Sequence, residues 1–404
     1  MPIGRVADEV RRIGRSAGLD AIGICDARPF DGTKRALLER KALGWSAGMQ
    51  FTYRNPDRST DPQATLPGAA AIVVGARGYN RRAHGGPDPD GPRMGGLGHL
   101  PDGPDGRQRR PQGRVAMYSW VDHYRPLRLA LATVAEYLTE AGWRARVLAD
   151  DNALVDRAAA VRAGIGWYGK NTNVLLPDAG SWFVLGSVVT DAPIASGLPV
   201  VAPVIDGCGP CRRCLPACPT GALVEAGKLD ARRCLAWLLQ ASGVFPHEYR
   251  EALGNRLYGC DDCQTACPAN QLVARRDPPP DAEPGAQVVV DVLDLLADDD
   301  EQLMARVGRW YIPGREPRYV RRNALIVLGN SGDASAPGVM AALREALADR
   351  DPIVRSHAVW AAARLGRRDL LGALEHDLDA LVVAEMSVAR DIAPRGSTAG
   401  RARP

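Results

Sequence analysis

The spacing of the cysteines constrains this chain more than any other feature. Eight of its nine cysteines lie between positions 208 and 267, and the ninth is Cys25. The first four follow the pattern C-x2-C-x2-C-x3-C-P and are Cys208, Cys211, Cys214 and Cys218. The other four end in C-x2-C-x3-C-P and are Cys234, Cys260, Cys263 and Cys267. Two such runs in one segment predict a module that holds two iron–sulfur clusters and moves electrons.

The cysteine pattern also predicts which thiolates share a cluster. In the bacterial two-cluster run, the fourth cysteine ligates the other cluster. One cluster is therefore expected on Cys208, Cys211, Cys214 and Cys267. The other is expected on Cys218, Cys234, Cys260 and Cys263. Structural zinc and disulfides are the alternatives, but zinc usually takes two separated C-x2-C pairs. Disulfides need an oxidising compartment, and no signal peptide is recognised.

Composition limits the remaining possibilities. The chain has 404 residues, enough for two or three domains, and 46% of them are hydrophobic. No apolar stretch of about 18 residues is present, so we expect no membrane span. Arg11-Arg12 is not followed by the apolar segment of an export signal, and we expect a cytoplasmic protein. Cys25 lies in an apolar run and is expected to be a buried, inert thiol.

The pattern of elements predicts three domains. Alternating strands (20–25, 69–75, 144–149, 182–189) and helices (126–141, 154–163) favour a layered α/β domain over residues 1–198. Residues 80–113 are rich in Gly, Pro and Arg and are expected to be a disordered insertion. Residues 199–275 form the cluster domain, and a Pro-rich linker follows. The segments 319–329 and 353–366 are self-similar and predict HEAT-like helical repeats over 286–392, unless the similarity is chance. The tail 393–404 is expected to be disordered.

Several long strings resemble the epoxyqueuosine reductase family. They are RAGIGWYGKNT, GSWFVLG, CGPCRRCLPACPTGAL, LDARRC, GNRLYGCDDCQTACPAN and RRNALIVLGN. The resemblance covers most of residues 1–335. It implies an oxidoreductase that removes the epoxide oxygen of epoxyqueuosine at the tRNA wobble position, the last step of queuosine synthesis. It also implies cobalamin and two [4Fe–4S] clusters. The implied fold is an α/β cobalamin-binding domain, a ferredoxin-like module with both clusters, and C-terminal HEAT-like repeats.

The family supplies a proton from an aspartate at the end of a strand, and the resemblance places it at Asp150. The string from Asp150 to Arg157, DDNALVDR, matches the family motif except that Ala153 replaces a proline. Asp150 follows the strand 144–149, at the edge where α/β sheets place ligands. To donate near neutral pH, its pKa must be raised. The alternatives are that Asp151 is the aligned acid, or that either aspartate only caps the next helix.

The resemblance also implies the corrinoid contacts. These are Arg58, Ser119, Tyr124, Asp150, Trp167, Lys170, Asn171, Val174, Leu176, Cys260 and Asp261. The glycines of the string 162–171 are expected to let the backbone approach a flat ligand. The chain departs from the family at Asp122-His123-Tyr124-Arg125, where the family has R-D-Y-H. His123 is expected to begin a helix, and an axial cobalt ligand is the alternative.

The segment 306–322 is basic and contains aromatic residues, a composition that suits phosphate contact and base stacking. We expect Arg318, Arg321 and Arg322 to bind the tRNA, against the alternative of a solvated helix face. We also expect the protein to be a monomer and to receive its electrons from an external low-potential donor. Two other functions compete with the reductase, a corrinoid reductive dehalogenase and an electron carrier without catalysis. Dehalogenases typically carry an export signal and lack RNA-binding repeats, whereas in this chain no export signal is recognised and such repeats are predicted.

Overall fold

The computed structural model describes residues 3–83, 110–198 and 206–395. The chain divides into two compact units, each made of three separate stretches. The first unit comprises Met1–His84, Val121–Cys234 and Asp261–Gly285, and the second comprises Gly85–Trp120, Leu235–Cys260 and Ala286–Pro404. This division differs from the expected order of three consecutive domains. The cysteine-rich segment is shared between the units, because the chain leaves the first unit after Cys234 and returns to it at Asp261.

The strands and helices are named in chain order over the described residues. The strands are β1 Ala21–Asp26, β2 Ala71–Gly78, β3 Gln112–Val115, β4 Ala145–Ala149, β5 Trp167–Tyr168, β6 Val174–Leu175, β7 Phe183–Thr190, β8 Leu223–Glu225, β9 Lys228–Leu229, β10 Arg256–Tyr258 and β11 Val289–Asp291. The helices are α1 Ile3–Ser16, α2 Asp31–Ala42, α3 Pro56–Ser59, α4 Tyr124–Glu140, α5 Asp156–Arg162, α6 Cys214–Ala217, α7 Leu235–Leu238, α8 His247–Leu253, α9 Asp262–Thr265, α10 Pro268–Arg276, α11 Val292–Ala297, α12 Asp300–Val307, α13 Arg318–Ser331, α14 Pro337–Leu347, α15 Pro352–Arg364 and α16 Ala380–Val388.

The first unit is built on a four-stranded sheet in the order β1-β2-β7-β4. Every neighbouring pair in this sheet is antiparallel. Helices cover the sheet, as the layered α/β prediction requires, but the alternation of strands and helices does not produce parallel neighbours. The connections bring each neighbouring strand back in the opposite direction. Because neighbouring strands run in opposite directions, their carboxyl ends do not meet at one edge of this sheet. Asp150 follows the end of β4, but the sheet topology gives no separate reason to expect a ligand there.

The two faces of this sheet differ in what packs on them. On one face, a Cβ added at Gly75 or Gly186 would lie 3.2 Å or 2.7 Å from the side chain of Leu131 on α4, so these strand positions have no room for a side chain. On the other face, Val74 and Leu148 join a buried cluster with the alanines 158–160 of α5. The small alanines allow α5 to lie close against β2 and β7.

The predicted insertion 80–113 is structured at its ends. Arg82 forms a parallel bridge with Asp281 in the first unit. Residues 112–115 form β3, the central strand of the sheet β10-β3-β11 in the second unit. The prediction of disorder is wrong for these positions, because backbone pairing with distant segments overrides the Gly- and Pro-rich composition. Residues 84–109 of the insertion and 396–404 of the tail lie outside the described residues.

The second unit is mainly helical. The self-similar segments form α13 and α15, which pack against each other, and α14 and α16 both pack on α15. The interior positions of α13 and α15 are buried along most of their length. The predicted pair of repeats is therefore a stack of helices around one core. In the described part of the chain, none of the helices is long and apolar enough to cross a membrane.

Candidate functional site

Asp150 stands directly after β4 in a left-handed backbone conformation, with φ of 57°. Asp tolerates this region better than most residues, and such conformations gather at functional sites. The turn that follows is built by its neighbour, because Asp151 Oδ1 accepts a hydrogen bond from the backbone N–H of Ala153 at 2.8 Å. The Asp150 carboxyl has no hydrogen bond to any described residue and is left available.

The surroundings of Asp150 favour its protonated form. Desolvation by neighbouring protein atoms raises the pKa of Asp150, although the side chain still reaches solvent. The guanidinium of Arg128 opposes this shift, while the carboxylates of Asp122 and Asp151 add to it. The shift is in the direction that a carboxyl acting as a proton donor needs.

A second acid, Asp156, lies at the start of α5 and was missed by the sequence analysis. Burial raises its pKa to about 8, and the carboxylates of Asp150 and Asp151 contribute to the shift. Arg157 lowers it only in part. The Oδ1 atom of Asp156 is buried and has no hydrogen-bond partner among the described residues. The sequence feature that could have identified Asp156 is its position as an acidic residue within the largely apolar string ALVDRAAAV.

Tyr124, the first residue of α4, lies close to both acids. Burial raises the pKa of its hydroxyl, and the charges of Asp150 and Asp156 raise it further. The departure from the family motif has a local explanation at Asp122, whose Oδ1 accepts hydrogen bonds from the backbone N–H groups of Tyr124 and Arg125, both at 3.0 Å. His123 is buried, with its ring 5.2 Å from the ring of Tyr79. The Asp122 carboxylate therefore satisfies the first backbone amides of α4, while His123 stands immediately before the helix, as expected, and packs against Tyr79.

The glycine-rich string forms a short hairpin of β5 and β6. A Cβ at Gly166 would lie 2.4 Å from the Leu175 carbonyl oxygen, and one at Gly169 would lie 2.3 Å from Leu175 Cδ1. These two glycines are thus required by the packing of the hairpin itself, and ligand approach is not needed to explain them. The indole Nε1 of Trp167 is buried without a hydrogen-bond partner in the described chain.

Lys170 and Asn171 hold the cysteine loops. Lys170 Nζ donates a hydrogen bond to the Gly209 carbonyl and lies 3.6 Å from Asp206 Oδ2. Asn171 is buried, and its Nδ2 donates to the Cys263 carbonyl at 3.4 Å. The amino and amide groups expected to bind a corrinoid are thus directed to protein carbonyls, and they fix the hairpin to both cysteine runs.

The other predicted cofactor residues are dispersed. In the first unit, Val174 and Leu176 are buried, and Arg58 is exposed on α3. The Asp261 carbonyl accepts hydrogen bonds from the N–H groups of Gln264 and Thr265, both at 2.9 Å. Asp261 is the residue immediately before α9. Two predicted contacts belong to the second unit. They are Ser119, whose carbonyl accepts a hydrogen bond from Arg309, and Cys260.

The cysteines are free thiols without disulfides in the described chain. Burial raises the pKa of Cys214 and of Cys267, and both are also raised by the charges of Cys208 and Cys211. The four thiols predicted to share one cluster are therefore neighbours in the first unit. No three Cys, His, Asp or Glu side chains in the described ranges converge enough to hold a single metal ion. Neighbouring but separated thiols fit a polynuclear cluster, whose iron and sulfide atoms fill the space between them.

The predicted RNA-binding arginines have structural partners, and one prediction is wrong. Arg322 is buried, and its guanidinium donates to the carbonyls of Ala241 at 2.8 Å and Gly243 at 2.7 Å. It cannot contact RNA, because all of its hydrogen-bonding capacity is directed to the interior. Arg321 pairs with Asp300 at 2.5 Å and is mostly covered. Arg318 pairs with Glu316 and Asp351, and its side chain is 36% exposed.

Comparison with known proteins places these features in a family. The 4Fe-4S double cluster binding domain matches residues 207–270, and HEAT repeats match residues 312–388. An epoxyqueuosine reductase of Bacillus cereus is 32% identical over 401 residues, which cover 96% of this chain and 97% of that protein. The chain belongs to the epoxyqueuosine reductase family. The Bacillus subtilis reductase is also 32% identical, with 94% of each chain covered.

Solved epoxyqueuosine reductases have the same fold. A crystal structure with an epoxyqueuosine-modified tRNA stem loop matches with a TM-score of 0.81 and 30% identity, over 96% of this chain and 99% of that one. The Streptococcus thermophilus enzyme matches with a TM-score of 0.78 and 25% identity, over 95% and 98%. The matches to the double-cluster domain and to HEAT repeats confirm the iron–sulfur module and the HEAT-like repeats. The matches to epoxyqueuosine reductases favour the reductase over both the dehalogenase and the electron carrier, because they extend over nearly the whole chain.

Proposed function

We propose that this protein reduces epoxyqueuosine to queuosine at the wobble position of tRNA. Family membership over nearly the whole chain supports the substrate, and the free carboxyl of Asp150 with its raised pKa carries the chemistry. The reaction removes the epoxide oxygen as water, which takes two electrons and two protons. The protein must therefore deliver electrons to the substrate and protonate the departing oxygen.

Asp150 is the proposed proton donor. Its left-handed backbone directs the chain away from β4, and Asp151 secures the turn with its own hydrogen bond. Asp150 is thus free to give its proton to the oxygen as the carbon–oxygen bond breaks. The desolvation that raises its pKa keeps this carboxyl protonated in a larger fraction of molecules than a solvated aspartate would be.

The eight cysteines are the proposed ligands of two [4Fe–4S] clusters. The set of Cys208, Cys211, Cys214 and Cys267 is supported by the proximity of these thiols in the first unit. The set of Cys218, Cys234, Cys260 and Cys263 is supported by the sequence pattern alone. Lys170 and Asn171 hold the hairpin to both runs and would keep these loops in position.

Cobalamin is the second proposed cofactor. The first unit offers two features that fit it, namely the Tyr124 hydroxyl, on which the charge of Asp150 acts, and the buried indole N–H of Trp167, which has no hydrogen-bond partner among the described residues. When bound, the corrinoid and the clusters would supply the reducing electrons. We keep the family-implied contacts Arg58, Ser119, Val174, Leu176, Cys260 and Asp261 as proposals. Tyr124 and Trp167 would orient the group, and Asp150 would face the substrate.

The tRNA surface is proposed to include Arg318, with Arg321 as a weaker contributor because it is covered and paired. Charge reversal of Arg318 and Arg321 to Glu should lower tRNA affinity, and the loss should shrink as salt is raised. The matched control is Arg12→Glu on α1, which belongs to the other unit and should leave affinity unchanged. Equal affinity for both proteins would assign the two arginines to a structural role.

The activity test uses the full chain, reconstituted without oxygen with iron, sulfide and cobalamin. A strong one-electron reductant and tRNA that carries epoxyqueuosine are then added, and the nucleosides are analysed by mass spectrometry. Loss of one oxygen atom from the wobble nucleoside is the expected result. An unchanged nucleoside, from protein that holds both clusters and a corrinoid, would overturn the proposal. We propose further that the protein acts as a cytoplasmic monomer with an external low-potential donor.

A further inference from the structure

Two C-x2-C loops of this chain carry opposite charges. The loop 211–214 reads C-R-R-C, whereas the loop 260–263 reads C-D-D-C. Arg212 and Arg213 therefore stand between two thiols that are proposed to hold one cluster. A charged molecule that approaches the protein is attracted by charge of one sign and repelled by charge of the other. We call residues 211–214 the cationic loop.

The backbone of the cationic loop is fixed, while both of its arginine side chains are exposed. The N–H of Cys211 donates a hydrogen bond to the Cys208 carbonyl at 3.1 Å. The N–H of Leu215 donates to the Arg212 carbonyl, also at 3.1 Å. Neither Arg212 nor Arg213 has an ion pair or a side-chain hydrogen bond among the described residues. The two guanidinium groups are thus held at their base and open to a partner from outside.

Other cations near the cysteine runs differ from these two arginines, because a carboxylate of the same chain lies within about 4 Å of each. The contacts are Lys170 with Asp206 at 3.6 Å, Lys228 with Glu225 at 2.9 Å, Arg232 with Asp230 at 2.7 Å, and Arg276 with Asp178 at 3.1 Å. These pairs neutralise charge locally. The positive charge of the cationic loop is not neutralised in this way, and it remains available to an external anion.

The surroundings of the cationic loop suit a protein partner better than RNA. Pro210, Pro216 and Pro219 are exposed beside it, and their rings give a rigid, apolar border. Arginine is enriched in protein interfaces, and the interfaces of electron-transfer complexes are small. Binding of single-stranded RNA combines phosphate contacts with base stacking on aromatic rings, and the segment 206–234 contains no aromatic residue.

We propose that the cationic loop is the docking surface for an acidic electron-carrier protein. The inference rests on the proposed function, which needs two electrons for each epoxide and an external donor. Carboxylates around the carrier's redox group would pair with Arg212 and Arg213, an arrangement that guanidinium groups favour. In each docking event the carrier loses one electron and the neighbouring cluster gains one. No covalent bond forms or breaks and no proton moves, so two such events supply one turnover.

The position of the cationic loop explains why the electron would enter there. Electron transfer weakens steeply with distance, and a carrier held by Arg212 and Arg213 lies next to the ligands of the cluster. Charge complementarity mainly raises the rate of encounter, and salt screens it. The alternative is that the two arginines only balance the negative charge of the thiolates. The tests below separate these two roles.

The first test measures binding to the protein reconstituted with its clusters and cobalamin, without tRNA. The probe is an oxidised flavodoxin of net negative charge. Arg212→Glu combined with Arg213→Glu should weaken binding by about tenfold or more at low salt, because like charges then face each other. Arg212→Lys combined with Arg213→Lys should keep most of the affinity. Equal affinity of the wild-type and charge-reversed proteins would overturn the inference.

The matched control for net charge is Arg5→Glu combined with Arg15→Glu. Both arginines lie on α1 in the first unit, are exposed, and have no ion pair among the described residues. This variant changes the total charge by the same amount as reversal of the cationic loop, and it should bind flavodoxin within about twofold of wild type. An equal loss in both variants would mean that net charge, and not the cationic loop, attracts the carrier.

The second test measures the rate at which fully reduced flavodoxin passes an electron to the protein, followed by the absorbance of the flavin semiquinone that forms. Reversal of the cationic loop should slow this step at least about tenfold in about 0.05 M salt, and the difference should shrink in about 0.5 M salt. Reduction by photoreduced deazariboflavin, a small neutral molecule, should stay within about twofold of wild type. If both reductants are slowed equally, the arginines act on the cluster itself and the docking role is refuted.

Two further outcomes would also overturn the inference. One is a wild-type rate with flavodoxin that does not depend on salt. The other is a charge-reversed protein that keeps its affinity for flavodoxin but loses affinity for tRNA, which would assign the cationic loop to RNA. Because docking and reduction are measured without tRNA, they succeed or fail separately from the proposed function. Unchanged epoxyqueuosine in a wild-type protein that flavodoxin reduces would refute the proposed function alone.

Discussion

Glu385 accepts hydrogen bonds from both terminal nitrogens of Arg250, at 2.8 Å and 3.2 Å. Both side chains are almost completely buried, at 3% and 0% exposure. His247 adds a third contact, with its Nε2 2.8 Å from Glu385 Oε2. The pair joins α8, from the middle of the chain, to α16 near its end. It is therefore a long-range connection within the second unit.

We expect Arg250→Met and Glu385→Met each to lower the free energy of unfolding by about 3–5 kcal/mol, because each leaves a buried charge without its partner. The double variant should lose less than either single variant, since no uncompensated charge remains. Urea unfolding of the four proteins gives the coupling energy. A control is Arg276→Met, because Arg276 and Asp178 form an exposed pair and should contribute less than about 1 kcal/mol. Additive losses would mean that the pair is not coupled.

Asp150→Asn should keep both clusters and the corrinoid but lose at least about 10²-fold in turnover, because an amide cannot supply the proton. Iron and corrinoid content and the rate of epoxyqueuosine loss are the measurements. Asp151→Asn is the matched control, since an amide oxygen can still accept the hydrogen bond from Ala153. It should stay within about threefold of wild type. The opposite pair of results would move the proton donor to Asp151.

The raised pKa of Asp156 predicts how stability depends on pH. The folded protein holds this proton up to about pH 8, whereas the unfolded chain releases it near 3.8. The folded state thus binds more protons between these values, and stability falls as pH rises through that window. One such group contributes about 1.4 kcal/mol for each pH unit.

Asp156→Asn removes this contribution, so its stability relative to wild type should increase from acidic pH to about pH 8 and then level off. Urea unfolding at several pH values measures the difference, and groups that titrate alike in both proteins cancel. A constant difference between the two proteins would mean that Asp156 titrates normally.

Local sequence patterns predicted much of this molecule. The cysteine spacing and the self-similar helical segments depend on residues close in sequence, and the double-cluster domain and HEAT repeats confirm both. The strands β1, β2, β4 and β7 were also expected near their observed positions. Their antiparallel order was not, because strand direction depends on how the connections cross the sheet and not on any one strand.

Long-range pairing explains the failures. The strand β3 lies in a segment rich in Gly, Pro and Arg, and it forms only because β10 and β11 supply its hydrogen bonds. Arg322 lies in a segment whose composition is typical of an exposed RNA-binding surface. Its guanidinium nevertheless donates hydrogen bonds to backbone carbonyls about 80 positions earlier in the chain. The burial of Asp156 Oδ1 was equally hidden, since it depends on how α5 packs on the sheet.

Cys25 provides a test of the packing beneath this sheet. Burial raises the pKa of its thiol to about 12, and its Sγ lies 3.9 Å from the Ala159 carbonyl oxygen of α5. The thiolate is the reactive form, so Cys25 should resist alkylation in the native protein. After a chelator removes the clusters, iodoacetamide should label the eight other cysteines and leave Cys25, as mass spectrometry of peptides can show. In strong denaturant all nine should react. Labelling of Cys25 as fast as the others would mean that α5 does not hold its place over β1.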